Sequence, residues 1–307
     1  MKKFFKKVGQ IFCGAVLIGA LGINSVSAEE SVDAKTAFRE AMKNSTDGNR
    51  IFHEDIYFVV PTCQSELDFI GRAEGENFKA AGDFNIWLTD ASGNSSELIV
   101  PFYVTQSAKE MQIYFAVDNK WKKFQSPSLA AVMTDTIATP NADEMENFMS
   151  DIKEVVLLRE TDTEQTFLVN LDVNKIADEI KAEAKKNPAD NGTAGEEIFQ
   201  EKFLTYLDSG LRDSEIWYTW TVNKQNWNTI ALSLNLTGAV QQVARAMLND
   251  ESQNWGAFEK NILETVAFYS ETKAFTTFLN DDAAKKLEIP KKALNAKLVS
   301  DLVESKK

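Results

Sequence analysis

The sequence predicts an α+β protein in which a one-sided antiparallel sheet carries an apolar face that needs a helical cover. Three observations predict it. Six strand-length segments follow one another between Asp55 and Gln125, divided by polar turns. Several alternate with period two: Phe84, Ile86 and Leu88 fall on one face, as do Leu98, Val100, Phe102 and Val104, then Met111, Ile113, Phe115 and Val117. Segments with helical spacing precede, interrupt and follow these strands, which places helices and sheet in one chain.

Taken in order, Ala34–Lys43 is an amphipathic helix with Asp33 as N-cap and Ala37, Phe38, Ala41 and Met42 on one face. Residues 44–49 break it. Strands follow at Asp55–Val60, Leu67–Ala73, Phe78–Thr89, Glu97–Thr105, Met111–Val117 and Lys120–Gln125. The connections at 90–94 and at Asp118-Asn119 tolerate left-handed backbone, as hairpins require. Two short helices, 128–134 and 142–152, start near Pro127 and Pro140. Strands resume at Glu154–Glu160 and Thr166–Val173, and a helix covers Asn174–Lys185. Residues 187–195 are rich in Asn, Gly, Pro and Ala. They read as a divider between two domains or as an exposed loop within one. Beyond them come a helix at Glu196–Leu207, a strand at Glu215–Val222, an alternating strand at Asn226–Thr237 and a helix at Ala239–Leu248. Glu264–Leu279 satisfies both periods in part, and we read it as a strand.

The first 28 residues read as a cleavable export signal. Lys2, Lys3, Lys6 and Lys7 precede an apolar run from Ile11 to Ile23, and Val26-Ser27-Ala28 supplies the small residues of a cleavage site after Ala28. As a helix that run reaches only ~20 Å, short of a ~30 Å hydrocarbon core. Cys13 lacks the small residues that precede a lipidated cysteine, so the mature chain is expected to be soluble, unlipidated and secreted or periplasmic in a bacterial host. Residues 29–307 then approach the ~250–300 residues over which one core keeps growing.

The chain has 33 basic and 46 acidic residues, a net charge of −13, and loses four lysines with the signal. Such a body repels phosphates, which argues against nucleic acid and anionic membrane surfaces as partners. Only Cys63 remains after cleavage, so no internal disulfide supports the fold.

His53 is the single histidine, which excludes any metal site built on two imidazoles and leaves a triad only one base. There is no G-x-S-x-G elbow, phosphate-binding glycine loop or paired CxxC. His53 and Cys63 form the one conceivable base and nucleophile, and an edge histidine and a small buried thiol account for both more simply. The acidic groups at Asp143, Glu144 and Glu146, and at Asp281 and Asp282, read as solvated faces, and the 90–97 segment lacks the alternating oxygens of a calcium loop. No catalytic residue, metal ligand or cofactor is expected.

The order of signal, short helix, long one-sided strands, inserted helices and further strands resembles the LolA and LppX group of extracytoplasmic lipid carriers. Val100-Pro101-Phe102-Tyr103, Ile113-Tyr114-Phe115, Asp118-Asn119-Lys120-Trp121 and Lys286-Leu287-Glu288-Ile289-Pro290 are similar to segments of related bacterial envelope proteins. The resemblance implies a curved sheet, a half-barrel, with helices covering a concave apolar face, and one such domain over 29–307. It also implies a lipid, acylated partner or other apolar ligand in a cavity between sheet and helices. Phe84, Ile86, Leu88, Val100, Phe102, Ile113, Phe115, Ile230, Leu232 and Leu234 would line that cavity. The rival expectation is a filled core and a non-catalytic envelope protein that meets a protein partner through Trp217, Tyr218, Trp220 and Trp227. An enzyme ranks behind both.

Overall fold

The computed structural model describes residues 34–44, 49–74, 77–90, 92–107, 110–126, 149–186, 194–279 and 281–298. The expected signal, Asp33, Pro127 and Pro140, the expected 128–134 helix and most of the expected 142–152 helix lie outside them, as do residues 187–193 of the proposed divider.

Helix α1 (Ala34–Asn44) buries Phe38, Ala41 and Met42 on one side, and the Asn44 amide closes its last turn by donating to the Glu40 carbonyl at 2.8 Å. Six strands follow: β1 (Asn49–Val60), β2 (Cys63–Glu74), β3 (Asn77–Thr89), β4 (Ser95–Ser107), β5 (Glu110–Val117) and β6 (Lys120–Ser126). β1 and β2 begin well before the expected Asp55 and Leu67. Their early residues are held by pairing with neighbouring strands, which satisfies backbone groups whatever the side-chain pattern. The β5–β6 hairpin turns on Asp118 and Asn119 with φ of 52° and 58°, the two left-handed positions of a tight twisted turn.

Ile152, expected to end a helix, is the first residue of β7 (Ile152–Glu160) and is buried. After β8 (Glu164–Leu171), Val173 belongs to helix α2 (Val173–Lys186) and not to the strand. Asp172 decides this by accepting from the amides of Asn174 and Lys175 at 3.1 and 3.2 Å, which caps the helix. Helix α3 (Ala194–Arg212) extends past Leu207, and Arg212 bridges Asp208 and Asp178 near its end.

Strands β9 (Trp217–Asn223) and β10 (Thr229–Asn235) are shorter than the alternation suggested. Asn235 accepts the Thr237 amide at 3.0 Å and turns the chain into helix α4 (Thr237–Leu248). The expected strand at Glu264–Leu279 is corrected: it divides into the end of helix α5 (Ala257–Tyr269) and β11 (Glu271–Leu279), with the break at buried Ser270. Phe258, Phe268 and Tyr269 stay exposed on α5, so its apolar residues do not mark a single buried stripe, and the helical period is blurred. A 3-10 helix (Asp281–Leu287), helix α6 (Lys291–Leu294) and β12 (Lys297–Leu298) end the described chain.

Among the described residues, twelve strands join one open sheet in the order β12-β6-β5-β4-β3-β2-β1-β11-β10-β9-β8-β7. Every pairing is antiparallel except that of β12 with β6. Strands from both sides of residues 187–195 therefore share it, because β11 inserts between β1 and β10. No helix among the described residues is long and apolar enough to cross a membrane.

The main core packs the β7–β11 half of one sheet face against helices. Phe38 of α1 meets Phe167 and Trp220 edge-on at 5.5 and 5.1 Å, with Leu234, Leu207 and Leu211 around them. Close packing extends to the helices, where a Cβ on Gly210 of α3 would come within 2.5 Å of the Val243 amide nitrogen on α4. A second cluster gathers Phe52, Phe78, Ala80, Val104 and Met111 on the β1–β5 half of the same face. A third lies on the opposite face, where Leu287 of the 3-10 helix covers Ile51 and Ile70.

Candidate functional site

Cross-strand register assigns the expected lining residues to a common face. Phe84 stands opposite Val100, Ile86 opposite Leu98, Phe102 opposite Phe115, and Val104 opposite Ile113. Leu232 and Leu234 reach this face through their partners Thr276 and Ala274 on β11. Their surroundings differ. Leu232 and Leu234 are 4% and 1% exposed inside the main core, where residues of the protein's own helices cover them. Phe102 and Ile113 pack on the second cluster. Ile86, Val100 and Phe115 are half-buried. Phe84 and Leu88 remain 37% and 50% exposed, and Leu98 beside Ile86 is 46% exposed. Ile230 falls within a bulge between Thr229 and Ala231, so Thr229 takes the place opposite Val222 and accepts from the Trp220 indole at 3.0 Å. Period-two counting passes over such a slip.

Glu54 sits on this face at the seam between the two clusters, opposite Phe69 on β2 and Thr276 on β11. It is completely buried, and its Oε1 has no hydrogen-bond partner. Thr276 Oγ1 donates to Oε2 at 2.6 Å. Burial pushes the carboxyl up to about 8, against the smaller opposing effect of the Thr276 hydrogen bond, so Glu54 is mostly protonated at neutral pH. Alternation alone hid it, since an acidic residue beside Asp55 reads as solvent-facing.

The opposite face carries a close group of ionisable side chains. His53 and Asp55 of β1 lie beside Asp68 of β2, with His53 Nε2 2.8 Å from Asp68 Oδ1 and 3.6 Å from Asp55 Oδ1. Register aligns Asp55, Asp68 and Asp83 directly across β1, β2 and β3. Gly82 permits the tight β2–β3 approach there, because a Cβ on it would lie 2.0 Å from the Asp68 carbonyl oxygen. Burial raises the Asp55 and Asp83 carboxyls, and the charge of Asp68 adds to both, while His53 works against the shift at Asp55. Tyr57, next along β1, is pushed up to about 12 by burial, then by its hydrogen bond to Glu66 and the surrounding carboxylates. Phe275 packs edge-on against Tyr57 at 6.0 Å. Among the described residues, His53, Asp55 and Asp68 are the group whose donor atoms lie close enough to hold a metal, all within 4.8 Å.

Two sequence expectations are corrected here. His53 does not sit at an edge, since β1 is paired on both sides. Cys63 is half-buried, and it pairs with Val60 at the far end of β2 while His53 pairs with Ile70. The seven residue steps between these pairs span roughly 23 Å of strand, and the two side chains point to opposite faces, so they form no nucleophile and base pair. Of the four aromatics in the rival contact patch, Tyr218 and Trp220 are 6% exposed and belong to the main core, while Trp217 and Trp227 are half-buried. Asp90 is occupied by its own hairpin, accepting from the amides of Ser92 and Asn94 and from the Asn94 side chain. Asp143, Glu144 and Glu146 lie outside the described residues, and Asp282 pairs with Lys285 at 3.5 Å.

In comparison with known proteins, the chain matches no family model and no curated relative.

Proposed function

We propose that this protein is an exported, non-catalytic carrier that binds a lipid, an acylated partner or another apolar molecule along the apolar face of its sheet. In this reading the sheet curves as a half-barrel under its helices, as in the LolA and LppX group, and the signal and missing lipobox leave the mature chain free outside the cytoplasm. One observation carries the reading. On β3 and β4 the apolar face runs on beyond the packed clusters, and Phe84, Leu88 and Leu98 keep 37%, 50% and 46% of their surface exposed. A ligand lying there gains ~25 cal/mol per Å² of apolar surface covered, offset by its loss of freedom. Leu232 and Leu234 are already packed by the protein's own helices, so ligand contact falls to Phe84, Ile86, Leu88, Val100, Phe102 and Phe115. Purifying the mature protein from its own host and identifying co-extracted lipid tests this. Repeated recovery without lipid, together with no response to a fluorescent fatty acid, overturns it.

A second reading, an envelope protein that meets a protein partner, draws support from α5. Phe258, Phe268 and Tyr269 are 75%, 58% and 67% exposed on that helix, aromatic surface that a partner would remove from water. Retained probe binding with Phe268→Asp, and its loss with Leu88→Asp, separates the carrier from this alternative.

A further inference from the structure

We propose that His53, Asp55 and Asp68 form a binding site for one divalent first-row transition-metal ion, on the face of the sheet opposite the apolar one. The donor set is one imidazole nitrogen and two carboxylate oxygens from adjacent strands. Their atoms lie 2.8 and 3.6 Å apart for the two histidine–aspartate pairs and all within 4.8 Å. Ligands bound to zinc at ~2.0–2.2 Å in a tetrahedron stand roughly 3.3–3.6 Å from one another. Small side-chain rotations on an otherwise rigid pair of strands therefore bring three donors onto one ion.

The backbone holds the site in place. β1 and β2 are interior strands paired over twelve positions, and the 3-10 helix packs Leu287 over Ile51 and Ile70 beside it. The side chains of His53, Asp55 and Asp68 keep 33%, 23% and 48% exposure, so a hydrated ion reaches them and retains open positions toward solvent.

Charge favours the same conclusion. Asp55, Asp68 and Asp83 are directly opposed across three strands, and like charges so placed repel. Among the described residues, the only basic side chain paired with them is His53. Lys273 of β11, opposite Tyr57, pairs instead with Glu271, and Arg72 of β2 pairs with Glu74. A divalent ion offsets two of the three carboxylate charges in the row and takes the place of the hydrogen bond between the imidazole and Asp68. The imidazole selects the ion class: calcium and magnesium prefer all-oxygen shells, whereas zinc and its first-row neighbours accept mixed nitrogen and oxygen donors.

The test uses untagged mature protein stripped with EDTA and titrated with ZnCl2 in a calorimeter. One Zn2+ per chain is expected, with His53→Ala and Asp68→Asn each weakening binding at least tenfold, Asp90→Asn leaving it unchanged, and excess Mg2+ failing to compete. Absence of wild-type binding, equal binding by both folded variants, or equal displacement by Mg2+ overturns the site. X-ray absorption of the wild-type zinc complex needs no variant. His53 is the only histidine in the chain, so a spectrum with one imidazole supports the assignment and a spectrum with none refutes it.

Discussion

Thr276 stands directly opposite Glu54 across β11 and β1, and its hydroxyl donates to the buried carboxyl at 2.6 Å. This pair makes the folded protein sensitive to base. Glu54 has its carboxyl raised from 4.5 to about 8 in the fold, so the native state holds a proton that the unfolded chain releases near 4.5. Its contribution to stability is full below 4.5 and is lost as pH rises through about 8. In EDTA-containing buffer, wild-type stability is expected to fall between pH 5 and 9 by on the order of a few kcal/mol relative to Glu54→Gln. Urea melts of the two proteins across that range measure it, and parallel pH profiles would contradict it.

Thr276→Val removes the one hydrogen bond that Glu54 accepts. The loss is expected at about 1–3 kcal/mol and is larger at pH 9 than at pH 6, because the ionised carboxylate then lies buried without a donor. Equal losses at both pH values would place the damage in packing.

Phe167→Ala empties the centre of the main core, where the ring is fully buried between Phe38 and Trp220. A cost of about 3–5 kcal/mol is expected from lost burial and the cavity left behind. Chemical denaturation reads it directly, and a cost below about 1 kcal/mol would mean that the helices collapse onto the gap.

Gly82→Ala should destabilise by about 1–3 kcal/mol or more, since its Cβ would lie 2.0 Å from a backbone oxygen that cannot rotate away. The zinc titration of this variant should weaken as well, because β2 and β3 must separate where Asp68 and Asp83 face each other. A variant with unchanged melting and unchanged zinc affinity would show that the strands yield easily.

Leu88→Asp lies on exposed surface and should change stability by no more than about 0.5 kcal/mol while abolishing the fluorescent fatty-acid signal. Full probe binding by this variant would remove β3 from the ligand site.

Alternation was a sound guide wherever one strand face is packed and the other wet. β3, β4, β5 and β6 lie within a few residues of their expected bounds, and the faces of Phe84, Val100 and Phe115 follow from parity alone. It failed where a local signal competed. Asp172 caps a helix at a position that pattern assigned to a strand, Asn235 ends β10 by accepting the Thr237 amide where alternation ran on to Thr237, and α5 exposes its aromatics, so its period blurs into that of β11. The bulge at Ile230 shows the same limit on a smaller scale.

By itself, the amino-acid sequence determined which residues share a strand face, because successive side chains on extended backbone must point in opposite directions. It also determined that a single imidazole is available for any site. Only the tertiary structure decided that β11 pairs with β1, which buries Glu54 opposite Thr276, and that Asp55, Asp68 and Asp83 fall in one row. Register across strands depends on turn length and on hydrogen bonds between distant segments. Residues 222 positions apart therefore come to face each other with no trace in local sequence.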